Sequence, residues 1–182
     1  MLIHNFYGHL TTVIKHRHMV MLHCFKAGII KRGLLHDLSK FSPTEFIPGV
    51  IYFQGNRSPN EQERESIGYS RAWMHHKGRN RHHYEYWTDY SPQTGTLDPV
   101  KMPDIFIFEM FCDRVAASKI YNKEKYNNSC PLQYFLKAKP KRNIEPQTAA
   151  KLEFLLRMLE DKGEDATFRY IRRRVKQLRY RS

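Results

Sequence analysis

The sequence predicts an all-α protein, a compact bundle of roughly six to eight helices, some of them short. Three observations carry that expectation. Apolar residues recur at helical intervals along most of the chain. Helix punctuation, a Ser-Pro start and Gly stops, falls between the periodic segments. No stretch of useful length alternates as a strand does, and no repeat is visible. With 182 residues, 41% of them hydrophobic, the chain can bury one core of ordinary size. Residues 1–182 are therefore expected to form a single domain.

The first helix is expected from Phe6 to Ala27, where Leu10, Val13, Ile14, Val20, Met21 and Leu22 share helical spacing and Gly28 supplies a stop. A short second helix carries Ile29 to Leu38 and ends near Ser39. Ser42-Pro43-Thr44-Glu45 then reads as a helix start, with Ser as cap, Pro in the first turn and Glu three residues on as a capping box. Pro48 and Gly49 are expected to interrupt that helix early. Gln54 to Asn60 is a loop on composition, and helix resumes from Glu61 to about His76. Lys77 to Asn80 is a turn, and Asp89 to Asp98 a surface loop. Met102 to Ile120 is strongly apolar and is expected to be the central helix. After a break at Asn127 to Pro131, Pro146 opens a helix that runs to about Lys162 and stops at Gly163. A basic terminal helix occupies about 165–182.

The formal net charge is +13, which favours acidic partners such as nucleotides, nucleic acid or anionic surfaces. The run from Arg169 to Arg181 would attract phosphates without reading bases, although a charge run of this kind is more often a solvated helix face. Three cysteines, Cys24, Cys112 and Cys130, are too few and too scattered for a disulfide framework or a zinc ribbon. The apolar stretch Met19 to Ile30 is too short for a membrane span. A cytoplasmic location is expected.

The chemistry lies in the histidines. His36-Asp37 sits at the end of an apolar helix, and imidazole with carboxylate suits divalent zinc, iron, manganese, nickel or cobalt. Adjacent helical residues point about 100° apart, so a cation shared by both must sit over the helix end. His9, His16 and His23, spaced by seven, offer one more ligand from the first helix, the alternative being interhelical hydrogen bonds. Glu109 and Asp113 face one way from the central helix. A carboxylate in the apolar setting of Asp113 needs a partner, either a metal or an arginine such as Arg114 or Arg71. The pairs His75-His76 and His82-His83 flank a Gly-containing turn and are placed to bind a second metal or a substrate phosphate. Tyr84, Tyr86 and Trp87 follow as candidate pocket walls. Phe154, Leu155, Leu159 and Phe168 read as core.

The order His, His-Asp, His pairs, Asp resembles the HD-domain superfamily of metal-dependent phosphohydrolases. Leu34-Leu35-His36-Asp37-Leu38-Ser39-Lys40 looks like that family's second helix. Lys15-His16-Arg17-His18-Met19-Val20 looks like its first-ligand helix, which favours His16 over His18, and Asp113-Arg114-Val115 resembles its final carboxylate. A closer likeness, from about His9 to Gly163, is to an uncharacterised bacterial subfamily with His-Asp-Leu-Ser-Lys, a Ser-Pro-x-Glu-Phe start and histidine pairs before Tyr-Trp.

The resemblance implies an HD-like helical bundle holding one or two divalent metal ions. His16, His36, Asp37 and Asp113 would be the first ligand set, and His75, His76, His82 and His83 a possible second metal or phosphate site. Lys40, His76 and His83 are the expected catalytic groups, and Lys40, Arg79 and Arg81 the expected contacts to a phosphorylated small molecule or nucleotide. The HD fold also hosts di-iron oxygenases, which makes oxygen chemistry an alternative. A basic nucleic-acid-binding protein with a structural metal is a third.

Overall fold

The computed structural model describes residues 2–179; Met1 and the end of the expected basic helix, Tyr180, Arg181 and Ser182, lie outside the described residues. The chain is predominantly helical. In order come α1 (Leu2–Ala27), α2 (Ile30–Leu35), α3 (Pro43–Ile51), α4 (Pro59–Ile67), α5 (Arg71–Lys77), a hairpin of β1 (Thr88–Ser91) and β2 (Thr96–Pro99), α6 (Asp104–Asn122), α7 (Cys130–Ala138) and α8 (Pro146–Arg179). None of the described helices is long and apolar enough to cross a membrane.

Helix α6 is the axis. It is apolar nearly all round, and Phe106 to Cys112, Val115 and Ala116 are buried along it. A helix of that kind must be enclosed, and α1, α7 and α8 pack around it. The core they share includes Val20 and Cys24 from α1, Phe135 from α7, and Leu152, Leu156 and Ile171 from α8. Cys24 and Cys112 are buried free thiols in this core. Leu155, Leu159 and Phe168 are buried as expected, but Phe154 is 48% exposed and faces outward. Gly163, at φ 75 and ψ 175, bends α8. Beyond the bend, Arg169, Arg172, Arg173, Arg174 and Lys176 are exposed while Ile171 and Val175 are buried, so the cations form an outer face.

Several expectations are corrected. Residues 88–99 are not a plain loop but an antiparallel hairpin pairing Thr88 with Pro99 and Ser91 with Thr96. Its strands are short and bury nothing, so no hydrophobic alternation marks them; Gly95, at φ 68, closes the turn, and Thr94 and Thr96 donate to Asp98. The expected helix from Glu61 to His76 is two helices, broken at Gly68 (φ 85). Helix α3 does not stop at Pro48; it continues to Ile51 with Pro48 inside it. Helix α2 ends at Leu35, before the His-Asp pair.

The site depends on how closely α2 approaches α1. A Cβ on Gly33 would stand 2.7 Å from Cys24 Cβ and 3.1 Å from Met21 Cα, so only glycine admits this contact. Arg17 of α1 then ties down the end of α2, donating from Nε to the His36 carbonyl at 2.8 Å and from Nη2 to that of Leu34 at 3.2 Å. These are carbonyls that the helix end leaves without partners. Gly33→Ala is expected to cost about 1–3 kcal/mol of unfolding free energy through overpacking, read from urea denaturation; wild-type stability would contradict the close approach.

His23 sits in the core at 3% exposure, its Nδ1 3.2 Å from the Cys112 carbonyl. Burial lowers its pKa to about 4, more than the carbonyl contact raises it. Between about pH 6.5 and 4 the unfolded chain therefore takes up a proton that the folded chain refuses. Stability from this group is complete above pH 6.5 and falls as the pH drops, by up to about 3 kcal/mol. Replacing it by His23→Asn, which keeps a donor but does not titrate, is expected to flatten the fall in melting temperature between pH 7 and 4.5.

Candidate metal centre

At the end of α2 the chain leaves helical geometry. His36 is extended (φ −56, ψ 129) and Asp37 is left-handed (φ 52, ψ 28), leading into a 3-10 turn at Leu38–Phe41. This break, rather than the pitch of a helix, aims both side chains inward. Asp is among the few non-glycine residues that adopt this conformation readily. His36 and Asp37 are each 1% exposed.

Two sets of donor atoms meet at Asp37. On one side are His16 Nε2 from α1, His36 Nε2 and Asp113 Oδ1 from α6, all within 4.8 Å of one another. His16 lies 2.9 Å and His36 3.7 Å from the Asp113 oxygen, and Asp37 Oδ2 is 3.4 Å from His36 Nε2. On the other side are Asp37 Oδ1, His76, His82 and His83, also within 4.8 Å of one another. Asp37 Oδ1 is 3.4 Å from His76 Nε2 and from His82 Nε2, and the Nε2 atoms of His76 and His83 are 2.8 Å apart.

The nitrogens have close neighbours but poor hydrogen-bonding geometry. His16 Nε2, His36 Nε2, His82 Nε2 and Asp37 Oδ1 are buried without a hydrogen-bond partner, although several have opposite charges nearby. Leaving so many buried polar atoms unsatisfied is costly. Ligands of a tetrahedral cation at metal–ligand distances near 2.1 Å stand about 3.4 Å from each other, which is the spacing seen around Asp37 Oδ1. The donor set therefore fits a divalent metal on either side of Asp37.

Carboxylates behind the histidines fix their orientation, as metal ligands require. Glu109 Oε1 lies 3.1 Å from His36 Nδ1 and 3.4 Å from His82 Nδ1. Its other oxygen accepts from Arg32 Nε at 2.6 Å. His36, His82 and Glu109 could also hold an ion as a set, but these contacts use the Nδ1 atoms and leave both Nε2 atoms for the Asp37 side. Glu45 acts in the same way. It does not close a capping box, since Ser42 makes no side-chain cap bond. Instead it accepts from His75 Nδ1 and His76 Nδ1, each at 2.7 Å.

The electrostatics favour a cation. Burial opposes ionisation of Asp37, but His36 and then Lys40 outweigh it and hold the carboxyl well below its usual range. Asp113 is held low against burial by His16 and His36. Glu109 is brought down to about 2 against burial by His36 and His82. Burial pushes the His36 imidazole down, yet Asp37, Asp113 and Glu109 prevail and raise it to about 10. Burial keeps His16 and His83 below the usual imidazole value.

The sequence-predicted residues divide clearly. His16, His36, Asp37 and Asp113 come together, as do His76, His82 and His83 with Asp37. His75 turns instead to Glu45. His9 packs against Phe46 and Phe53, where a Cβ on Gly49 would collide with its ring. Lys40 Nζ pairs with Asp37 Oδ2 at 2.9 Å. A cavity of about 680 Å³ opens over the centre, lined by His16, Asp37, Lys40, His76, His83 and Asp113 among others. Tyr84 also lines it, but Tyr86, Trp87, Arg79 and Arg81 do not; Arg79, just past α5, donates to the His75 carbonyl and Arg81 lies over Tyr86. The residues that sequence reasoning passed over are Arg17 and Glu45. Only the second left a signal, a Glu beside the His-Asp segment, and it was absorbed by the capping motif.

The left-handed turn makes a prediction of its own. Asparagine tolerates this conformation and alanine does not, at roughly 1–2 kcal/mol per residue. Asp37→Ala is therefore expected to be less stable than Asp37→Asn in urea denaturation, and equal stabilities would show that the turn is not strained.

Residues 5–158 match the model of a family described as a family of unknown function, DUF5662. No curated protein and no solved structure matches the chain. The match spans most of the sequence and includes every residue of both donor sets, and the chain belongs to this DUF5662 family.

Proposed function

We propose that the protein is a metal-dependent phosphohydrolase whose centre would hold divalent cations in the two donor sets that lie on either side of Asp37. The observation that carries this reading is that the two oxygens of one buried carboxylate face separate histidine sets. The HD-like order of these residues along the chain supports it, as does the presence of Lys40, Arg114 and Arg142 among the residues that line the cavity. His16, His36 and Asp113 would hold one ion and His76, His82 and His83 the other. Such ions, when bound, lower the pKa of a coordinated water and polarise a phosphoryl oxygen.

The remaining residues bind and orient. Glu109 and Glu45 fix the tautomers of His36, His82 and His76 by occupying their Nδ1 atoms. Lys40 brings an ammonium to the cavity floor, where burial resists its charge but Asp37 and Asp113 keep it protonated. It would meet an anionic substrate as a point charge. The aromatic rings of Trp73 and Phe53 also line the cavity.

Elemental analysis of the purified protein tests the reading. About two equivalents of manganese, zinc, nickel or cobalt per chain are expected, with hydrolysis of p-nitrophenyl phosphate. His83→Gln and His16→Gln are each expected to lose about one equivalent, and His36→Ala or Asp37→Ala to lose metal and turnover together. Full activity in His36→Ala would overturn the proposal. Two irons per chain with oxygen consumption would replace it by an oxygenase.

A further inference from the structure

Beside the metal centre the cavity contains a second, independent cluster. Arg114 follows the ligand Asp113 on α6, and Arg142 follows α7. Both line the same cavity as the donor atoms. The Arg114 guanidinium lies 5.8 Å over the Phe135 ring. That of Arg142 lies 5.9 Å over Tyr84 and 5.5 Å over Tyr134. Arg114 Nε is buried without a hydrogen-bond partner, and its Nη2 reaches only Met110 Sδ at 4.0 Å. Arg142 Nη2 makes a long contact of 3.4 Å to Tyr134 Oη.

This arrangement is expensive on its own. Two like charges share one cavity. Glu85 lines the cavity too, and its Oε2 is likewise buried without a partner. Aromatic faces stabilise the guanidinium planes but leave their N–H edges open. Those edges form a fork that matches oxyanions.

We infer that Arg114 and Arg142 form a phosphate-binding subsite, and that the ligand is a small molecule carrying two phosphate groups, one at the metal centre and one here. Two guanidiniums match the charge of about −1.5 to −2 on a phosphate monoester better than the single charge of a carboxylate. The cavity volume of about 680 Å³ suits a ligand of that size. Glu85, facing the same space, would accept a hydroxyl from the scaffold between the phosphates. The subsite stands on its own geometry; that the other phosphate is the scissile one rests on the hydrolase reading.

Non-hydrolysable probes test the subsite. Full-length protein as purified is titrated calorimetrically with α,ω-alkane bisphosphonates of three to six carbons and with ethylphosphonate. At least one bisphosphonate is expected to bind about tenfold or more tightly than ethylphosphonate, and more tightly than the dicarboxylate of equal length. Arg142→Gln, a half-buried position that leaves the core intact, is expected to erase that advantage. Arg114→Lys, which keeps a charge but loses the fork, is expected to reduce it, and exposed Lys31→Gln to preserve it. No bisphosphonate advantage, an equal preference for the dicarboxylate, or an advantage that survives Arg142→Gln would overturn the proposal. Binding that behaves as expected in a protein with no phosphatase turnover would retain the subsite and refute the hydrolase reading alone.

Discussion

A single buried carboxylate governs this structure. Asp37 is almost wholly enclosed, and its two oxygens serve His36 and Lys40 on one side and His76 and His82 on the other. Removing such a charge from water is costly unless it is paired and hydrogen-bonded. The protein meets that cost by bringing the rings of His36, His76, His82 and His83 and the Lys40 ammonium around it, then holding histidine rings with further carboxylates. The left-handed backbone at Asp37 follows from the same demand. A helix running on through residue 37 would turn one of the two adjacent side chains away from the centre.

The rest of the fold serves to bring distant segments to this point. Helix α6 supplies Glu109 and Asp113 on one face while much of the rest of it is buried, so the carboxylates are carried by the central helix of the core. Helix α1 reaches the centre through His16 and anchors α2 through the Gly33 contact and Arg17. Helix α3 contributes nothing directly to the donor sets, but Glu45 from its first turn orients both histidines of α5. The basic character of the chain divides accordingly. The cations of the terminal helix form an outer face, while Lys40, Arg114 and Arg142 are turned into the cavity.

Much of this was legible in the sequence. The helical period of α1, α6 and α8 follows from apolar spacing alone. The ligand candidates His16, His36, Asp37 and Asp113 could be chosen because their order along the chain resembles a known pattern. What was not legible depends on tertiary contact. Nothing in His75-His76 distinguishes the ring that turns to Asp37 from the ring that stops at Glu45, because that choice is made by α3 packing on α5. Glu45 satisfied a local motif and so concealed its long-range role. The hairpin escaped notice because its strands lie on the surface and bury no alternate side chains, and Gly68 splits a segment whose charge pattern suits one continuous helix.

The central claim is that the donor sets on either side of Asp37 would hold divalent cations. Anomalous diffraction from crystals of the protein grown with manganese tests it most directly. The account predicts two peaks flanking Asp37, one among His16, His36 and Asp113 and the other among His76, His82 and His83. No peak at Asp37, or manganese bound only elsewhere on the surface, would contradict it.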